Sequence, residues 1–279
     1  MRRKTQPITI IYVAAILLAA TKVVLLQGPT HSNNGTDAEA KGGLSTLAGV
    51  KLPATKLLDT PEFSEIKGVT ARKKAFFGYL GEYIESENQH ILAEREQLLT
   101  LQEIASKGGL NSNQKAVLRG LATRYKLLHL IDDDDELIKR LRNRIDIIPP
   151  SLALSQSANE SAWGTSRFAK QGNNFFGQWC FRQGCGIVPQ SRPVGEIYEV
   201  AAFEDTGGSV RAYFLNLNTH KAYKSLRDIR SKLRAENKSL SGAELAVGLG
   251  SYSARGAHYV DEIQRMIVFN NLDELDGGG

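Results

Sequence analysis

One acidic side chain stands in the segment SQSANESAWGTS, residues 155–166, where small residues surround Glu160 and Trp163 follows three positions later. A carboxyl group that packs against an indole ring and small neighbours loses solvation, and desolvation raises its pKa. A glutamic acid with a raised pKa stays protonated near neutral pH and can protonate a glycosidic oxygen. The simpler interpretation is a solvated surface charge or a capping residue, because most glutamates lie at the surface.

An aromatic-rich loop, KQGNNFFGQWCFRQGCG, follows this segment. Its aromatic side chains offer flat faces on which sugar rings can stack: Phe175, Phe176, Trp179 and Phe181. The same loop holds Cys180 and Cys185, and no further Cys or His pair stands at the spacing of a metal site. Two reduced thiols are the simpler interpretation, but in an oxidising compartment a short-loop disulfide is favoured.

Several kinds of chemistry are excluded by the absence of their motifs. The chain has no HExxH zinc motif, no glycine-rich phosphate loop and no nucleophile elbow. The run Asp132–Asp135 lacks the alternating ligands of an EF-hand and is interpreted as the acidic start of a helix. We therefore expect no metal and no cofactor. The net charge of +5 fits an anionic partner without choosing among membrane, nucleic acid and acidic polymer.

The N-terminus predicts export. MRRK precedes the uncharged run ITIIYVAAILLAA, a pattern typical of a signal whose positive end stays in the cytoplasm. No small-x-small cleavage site is evident, and Val23 to Leu26 extend the run past Lys22 to the roughly 20 residues that a membrane span needs. Lys22 weakens the span but can snorkel to the outer interface. Residues 1–27 are thus predicted to be an uncleaved inner-membrane anchor, with the body facing the periplasm. A cleaved signal peptide and secretion to the periplasm are the alternative.

Composition and apolar periodicity predict how the chain is organised after residue 27. Residues 28–69 are predicted to be a flexible tether. The seven-residue recurrence of Phe77, Ile84, Ile91 and Leu98 predicts a helix over 70–106, which Gly108 and Gly109 end. A second helix is expected over 112–130. Together with the start of the next helix, these form a helical N-terminal region over 70–139.

A second region begins where Pro149 and Pro150 break the chain. Pro150 suits the first position of a helix, SLALSQSAN, that ends at Glu160. GIVPQ and EIYEVAAF predict a small β-hairpin after the aromatic-rich loop, and four helices follow it. The expected fold is α+β and mainly helical, with the second region over 140–272 and a tail over 273–279.

The segment IIPPSLALSQSANESAWGTSRFAKQGNNFFGQWC resembles the bacterial glucosaminidase family, glycoside-hydrolase family seventy-three, and most of all its Bax-like members. The resemblance continues through GCGIVP, YEVAAF, SVRAYFLNLNTHKAY and LGSYSARGAHYVDEIQRMI, and so covers about residues 140–272. It implies a lysozyme-like domain in which a helical lobe and a small hairpin lobe face each other across a groove. It also implies cleavage of the β-1,4 bond after N-acetylglucosamine in peptidoglycan.

Roles follow from this resemblance position by position. Glu160 falls on the catalytic acid of the family, and Tyr223 falls on a groove tyrosine that orients substrate or water. Trp163 and Gly164 match the tryptophan and glycine after the acid, and Asn174, Phe176 and Gly177 match an Asn-x-Phe-Gly motif that borders the groove. The predicted substrate-binding residues are Trp163, Asn174, Phe176, Trp179 and Tyr213.

The second carboxylate departs from the family pattern. Many relatives carry a glutamate on the first hairpin strand, whereas GIVPQ has none. Glu199 is the nearest substitute, with Glu196 behind it, and strand alternation predicts that Glu199 faces Glu160 across the cleft. An inverting pair stands roughly 6.5–9.5 Å apart. If Glu199 is only a surface charge, two mechanisms remain. They are assistance by the N-acetyl group of the substrate and one-acid lytic transglycosylation.

The leading functional hypothesis is an exported, membrane-tethered peptidoglycan N-acetylglucosaminidase. A catalytically weak murein-binding module is the alternative from another class, because the hairpin glutamate is missing. A third hypothesis is an endo-β-N-acetylglucosaminidase that acts on N-linked glycans. The expected partners are peptidoglycan glycan strands and the membrane through the N-terminal anchor, and nucleic acid is not expected.

Overall fold

The longest element is a 40-residue helix, α1 (Val69–Gly108). The computed structural model describes residues 58–278, so the predicted anchor and most of the predicted tether lie outside the described residues. The predicted helix over 70–106 is confirmed and extended slightly at both ends. Ile84, Ile91 and Leu98 are buried along it, and Gly109, with φ of 85°, ends it. Among the described residues, no helix is long and apolar enough to cross a membrane.

Eight further α-helices follow in the described chain. They are α2 (Ser112–Arg124), α3 (Asp134–Arg144), α4 (Pro150–Ser161), α5 (Arg167–Gly172), α6 (Thr206–Thr219), α7 (Lys224–Ala235), α8 (Gly242–Ala246) and α9 (Ala257–Phe269). Short 3-10 segments span Leu128–Leu130, Lys221–Tyr223, Val247–Leu249 and Leu272–Gly278.

One helix boundary differs from expectation, and one helix was not expected. The second predicted helix ends at Arg124 instead of Leu130, because Lys126 takes a φ of 57° that no α-helix tolerates. The short helix α5 lies where a loop was expected. At the start of α3 the acidic run has the expected role, since the side chain of Asp133 accepts a hydrogen bond from the backbone N–H of Glu136.

Helix α4 lies at the centre of the molecule and packs against α1, α8 and α9. Its small side chains allow close approach. A Cβ atom added at Gly242 of α8 would overlap the hydroxyl of Ser151. Every residue of α4 from Ser151 to Ala158 is buried, so the helix is a rigid support for the side chains near its C-terminal end.

The sheet is small and antiparallel, with strand order β1–β3–β2. It consists of β1 (Trp179–Cys180), β2 (Gly186–Ile187) and β3 (Glu199–Ala201). Strands β2 and β3 correspond to the predicted hairpin but are shorter, and β1 adds a strand on the other side of β3. The mainly helical α+β class is therefore confirmed.

The predicted tether and tail are not free at their described ends. Phe63, within the predicted tether, is buried against the rings of Phe76 and Tyr79 of α1. Asp276, within the predicted tail, accepts hydrogen bonds from the backbone N–H and hydroxyl of Ser151 and from the N–H of Gly242. Asp276 thus caps the N-terminal turn of α4. Apolar burial holds the described end of the predicted tether, and helix capping holds that of the predicted tail. Composition reveals neither interaction.

One hydrophobic core continues from Phe63 to Leu272. It includes α1 and α2 of the predicted N-terminal region as well as α4, α6 and α9 of the predicted second region. The long helix α1 packs against both α4 and α6. Within the described residues, the domain boundary predicted between residues 139 and 140 therefore does not separate two hydrophobic cores.

Candidate active site

Glu160 is the penultimate residue of α4, and its side chain is largely buried. Its Oε1 atom accepts a hydrogen bond of 2.8 Å from the hydroxyl of Tyr259 and a longer one of 3.4 Å from the amide of Asn159. Burial raises the pKa of Glu160, and it outweighs both hydrogen bonds, which lower it. The C-terminal end of a helix also disfavours a negative charge. Glu160 therefore keeps its proton to a higher pH than an ordinary glutamate does.

The second oxygen of Glu160 lies beside the backbone of the aromatic-rich loop. Gly177 has a φ of 63°, and a Cβ atom at this position would stand 3.3 Å from Oε2. No described residue donates a hydrogen bond to Oε2. Because Oε1 is engaged by a donor, Oε2 is the oxygen that carries the proton of the neutral acid. A glycine at 177 leaves room for that proton and for a group that receives it.

A chain of hydrogen bonds fixes the orientation of the Glu160 carboxyl. The hydroxyl of Tyr213 donates to Oε1 of Gln156 at 2.5 Å, and Nε2 of Gln156 donates to the hydroxyl oxygen of Tyr259 at 2.8 Å. Tyr259 has a single hydroxyl proton, and it is directed at Glu160. Tyr213, Gln156 and Tyr259 are all fully buried. We call this chain the tyrosine–glutamine relay.

The two tyrosines of the relay and two neighbouring tyrosines form what we call the tyrosine cluster: Tyr213, Tyr223, Tyr252 and Tyr259. The rings of Tyr252 and Tyr259 stack with centroids 5.4 Å apart, and the ring of Tyr223 lies 5.9 Å from that of Tyr252. Burial raises the pKa of all four hydroxyl groups, so they stay neutral donors at working pH. The cluster brings together the predicted Tyr213 and Tyr223, and it adds Tyr252 and Tyr259.

Trp163 does not occupy the expected place beside the acid. Its ring packs edge-on against Phe77 and Phe76 of α1, with centroids 5.2 and 5.8 Å away, and Lys73 Nζ lies 4.7 Å from its centroid. The physical reason is the backbone, since Ala162 and Trp163 take φ values of 50° and 59° directly after α4. The aromatic rings that the structure places around Glu160 are tyrosines instead.

This left-handed turn is itself a notable feature of the site. A non-glycine residue in such a conformation costs on the order of 1–3 kcal/mol, and it persists where the surroundings determine it fully. Here the hydroxyl of Ser161 accepts a hydrogen bond of 2.8 Å from the N–H of Gly164, and the Trp163 ring anchors the turn on α1. The turn ends α4 one residue after Glu160 and so sets the position of that side chain.

Asn174 and Phe176 support the loop from inside, whereas the sequence predicted that they contact substrate. Nδ2 of Asn174 donates to the carbonyl groups of Gln178 and Ala201 at 2.9 and 2.8 Å, and its Oδ1 accepts from the N–H of Gln178. Phe176 is buried and stacks on Tyr213 with centroids 3.9 Å apart. Both side chains hold Gly177 against Glu160, and neither presents a free face to a sugar.

Two aromatic side chains of the same loop remain exposed. Trp179 is 45% exposed and meets Tyr198 edge-on at 5.1 Å, and Phe181 is 74% exposed. Large aromatic rings are seldom left in water without a partner, so these faces suit the stacking of sugar rings. Of the predicted substrate-binding residues, Trp179 is the one whose exposure fits that role.

Glu199 is bound within its own loop and does not present an open carboxylate. Its side chain is 4% exposed, and its two oxygens accept hydrogen bonds from the N–H groups of Gly184 and Gly186 at 3.0 and 2.8 Å. These backbone bonds lower the pKa of Glu199. A carboxylate held in this way is a weak base, which goes against the predicted activation of water. Glu196, the residue considered behind it, is exposed.

The predicted disulfide between Cys180 and Cys185 is present. It closes the loop whose N–H groups bind Glu199, so the disulfide and the carboxylate hold the same turn. Within the described chain these three residues are also near enough to one another to ligate a metal. Joined sulfurs are poor ligands, however, because metal binding uses the thiolate.

Gln156, Tyr252 and Tyr259 were not predicted from the sequence as site residues. A signal existed for Gln156, because it stands four residues before Glu160 and therefore on the same face of α4. Tyr252 and Tyr259 lie in the segment SYSARGAHYV, seven residues apart, and nothing in their spacing points to the acid.

Comparisons with known proteins identify the family of the chain. The family model described as "Mannosyl-glycoprotein endo-beta-N-acetylglucosaminidase" matches residues 135–272. "Protein bax" of Escherichia coli (strain K12) is 34% identical over 206 residues, which cover 74% of this chain and 72% of that protein. No solved structure matches significantly. The chain belongs to the glucosaminidase family, and it is a Bax-like member of that family.

Proposed function

We propose that the protein is a glycoside hydrolase that cleaves the β-1,4 bond after N-acetylglucosamine in peptidoglycan, as an endo-β-N-acetylglucosaminidase. Glu160 is the general acid. The observation that carries the proposal is its asymmetric carboxyl group, in which Tyr259 holds Oε1 while Oε2 has no donor among the described residues. Family membership supports the choice of a glucosaminidase, and the exposed rings of Trp179 and Phe181 support a glycan substrate.

In the proposed reaction, Oε2 of Glu160 gives its proton to the glycosidic oxygen while the bond from that oxygen to the sugar C1 breaks. Positive charge develops at C1, and Glu160 becomes a carboxylate. The hydrogen bond from Tyr259 strengthens as Oε1 gains negative charge, because bonds to ionised acceptors are shorter and stronger. The relay thus stabilises the product state of the proton transfer more than its starting state.

Attack on C1 is assigned to the substrate itself. Glu199 is bound to the loop amides, so the oxygen of the substrate N-acetyl group is the nucleophile that remains, one of the recognised exceptions to two-carboxylate catalysis. It forms a bond to C1 as the leaving group departs with the proton from Glu160. Water then attacks C1 while the bond from C1 to the acetamide oxygen breaks, so the N-acetyl group is restored, and the water gives one proton to the Glu160 carboxylate. Tyr223, within the tyrosine cluster, is the proposed positioning group for the acetamide.

The test is digestion of intact murein by the purified full-length protein, with mass spectrometry of the new reducing ends. Ends in N-acetylglucosamine support the proposal. Anhydro-muramic ends would make the protein a lytic transglycosylase, and binding without cleavage would make it a murein-binding module. A parallel reaction offers an N-glycosylated protein as the substrate, because the description of the matching family model names a mannosyl-glycoprotein.

The matched variant is Glu160→Gln, which keeps the shape of the side chain but cannot give up a proton. General acids contribute roughly a hundred- to ten-thousandfold in rate. We expect cleavage to fall by that amount while the circular dichroism spectrum and the melting temperature stay near those of the wild type. Turnover close to the wild-type value would remove Glu160 from the mechanism.

We also propose that the protein is exported and anchored in the inner membrane by residues 1–27, with its body in the periplasm. The basic head and the apolar run of the N-terminus support this proposal. Fractionation of cells, followed by mass spectrometry of the N-terminal peptide, tests it. An intact N-terminus in the membrane fraction fits an anchor, and a processed N-terminus in the soluble periplasmic fraction fits a cleaved signal. Recovery from the cytoplasm would refute export.

A further inference from the structure

A cavity of about 500 Å³ lies beside α3, α7 and the 3-10 turn Lys221–Tyr223. None of its lining residues belongs to the tyrosine cluster or the relay. Six of them are cationic: Lys139, Arg140, Arg144, Lys221, Lys224 and Arg227. The others are Asn143, Thr219, Asp228 and Ser231. Every described residue that lines the cavity is therefore polar or charged, so its occupant is hydrophilic.

The positive charge of this cavity is poorly compensated. Asp228 pairs with Lys224 at 2.6 Å. Glu136, just outside the cavity, pairs with Arg140 at 2.6 Å and with Lys139 at 3.5 Å. Within the described chain no carboxylate lies within ion-pair distance of the remaining three cations, Arg144, Lys221 and Arg227. Six cations therefore share two carboxylates.

A neighbouring cavity shows how the same fold compensates cations with a buried acid. That cavity, of about 700 Å³, shares Lys139, Asn143 and Ser231 with the smaller one. Its wall includes Asp146, a buried carboxylate that lies within 4.0 Å of the guanidinium groups of Arg95, Arg230 and Arg234. The smaller cavity has no such buried acid among its described lining residues. A bound anion would take the place that Asp146 takes in the larger cavity.

Arg227 provides an independent observation that favours a ligand site here. The residue is 5% exposed, and its Nη1 atom donates to the carbonyl groups of Leu217 and His220 at 2.8 and 2.9 Å. Its Nε atom is buried and has no hydrogen-bond partner in the described chain. An unsatisfied buried donor costs about 1–3 kcal/mol, and more when it is charged. Burial first, and then the neighbouring positive charge of Arg144, lower the pKa of Arg227 to about 10.

We propose that the smaller cavity binds a phosphate-bearing anion. Arginine guanidinium groups match the geometry of phosphate oxygens, and lysines add mobile point charges at the rim. A phosphate group carries up to two negative charges and three acceptor oxygens, enough to engage several cations at once. The cavity is larger than one phosphate needs, so the ligand is a diphosphate or a phosphate with a polar substituent, such as a lipid headgroup. This site does not depend on the proposed glycan cleavage.

The first experiment is a calorimetric titration of the full-length protein with inorganic pyrophosphate. Lys139→Gln combined with Lys221→Gln removes two charges of the cavity lining, one from α3 and one from the 3-10 turn. The matched control, Lys232→Gln combined with Lys238→Gln, removes two charges outside it, from side chains that are 76% and 62% exposed and pair with Glu236. We expect saturable binding that the cavity pair weakens at least fivefold and the control pair weakens less than twofold.

The second experiment distinguishes free phosphate from a lipid headgroup. The same three proteins are mixed with vesicles of phosphatidylglycerol and, separately, of phosphatidylcholine, and bound protein is measured by flotation. A preference for phosphatidylglycerol that the cavity pair reduces and the control pair keeps identifies the headgroup as the source. Pyrophosphate binding without this preference identifies a free phosphate compound. Equal losses in both lysine pairs, or no specific binding to either probe, would overturn the proposal.

Discussion

Substitution of Tyr259 by phenylalanine tests the relay directly. Phenylalanine keeps the ring that stacks on Tyr252 but removes the hydroxyl that donates to Oε1 of Glu160 at 2.8 Å. In the wild type this hydrogen bond favours the ionised form of Glu160 and lowers the pKa of Glu160, whereas burial raises it. Without the hydrogen bond, the effect of burial is less opposed. The pKa of Glu160 then rises further. The general acid stays protonated to a higher pH, and the alkaline limb of the activity profile moves upward.

The size of this change follows from the strength of the bond. A hydrogen bond to a charged group contributes about 1.5–3 kcal/mol, and about 1.4 kcal/mol corresponds to a factor of ten in a protonation equilibrium. We therefore expect the alkaline limb of the kcat/KM profile to shift by about one to two pH units. The maximal rate falls as well, because the product carboxylate loses its stabilising donor. Nε2 of Gln156 loses its acceptor, so the melting temperature also drops.

The assay is the pH dependence of kcat/KM on solubilised murein fragments for the wild type and two variants. Tyr252→Phe is the matched control, because Tyr252 stacks on the same ring but donates its hydroxyl proton to the carbonyl of Phe176 instead of to Glu160. We expect its alkaline limb to stay within a few tenths of a pH unit of the wild type. An alkaline limb of Tyr259→Phe that stays in place or moves to lower pH would refute the reasoning, as would equal shifts in the two variants.

Three further predictions concern the aromatic-rich loop. Gly177→Ala should lower turnover at least tenfold, because the new Cβ would stand 3.3 Å from Oε2 of the proposed acid. Gly184→Ala is the control and should not lower turnover in this way, because Gly184 has a similar positive φ but open space around it. Glu199→Gln should lower the melting temperature, since an amide nitrogen cannot accept a hydrogen bond from a backbone N–H, but it should change turnover less than tenfold. A larger loss in kcat at unchanged stability would support Glu199 as the catalytic base. Alkylation and mass spectrometry of natively extracted protein should find Cys180 and Cys185 oxidised, and full labelling of both thiols before reduction would contradict this.

Periodicity and small-residue composition were sufficient to predict the elements that carry the site. The seven-residue recurrence along α1 and the Pro–Pro break before α4 each placed a helix to within a few residues. Trp163 shows where such reasoning fails. A continuing helix would place it near Glu160, but the helix ends at Ser161 and two left-handed residues turn the indole toward α1. Single-residue backbone conformations of this kind have no periodic pattern that reveals them.

Glu199 illustrates a second limit of sequence reasoning. Alternation along a strand predicts which face a side chain takes, but not what covers that face. Here the loop closed by Cys180 and Cys185 brings the N–H groups of Gly184 and Gly186 onto the carboxylate. The relay was hidden for a similar reason, since Tyr259 stands 99 positions after the carboxyl it contacts. Long-range contacts of this kind arise from the packing of the whole core.

The orientation of a single buried amide determines what the site can do. If the amide of Gln156 were reversed, its nitrogen would face Tyr213 and its oxygen would accept the proton of Tyr259, and Glu160 would then lose its donor. Tyr213 prevents this reversal, because its hydroxyl reaches no other acceptor in the described hydrogen-bond pattern and must donate to the amide oxygen. A buried residue that no substrate touches thus fixes which oxygen of Glu160 is bound and which is free. Proton donation from Oε2 depends on Tyr213 for this reason, although the sequence suggested Tyr213 only as a contact for sugar.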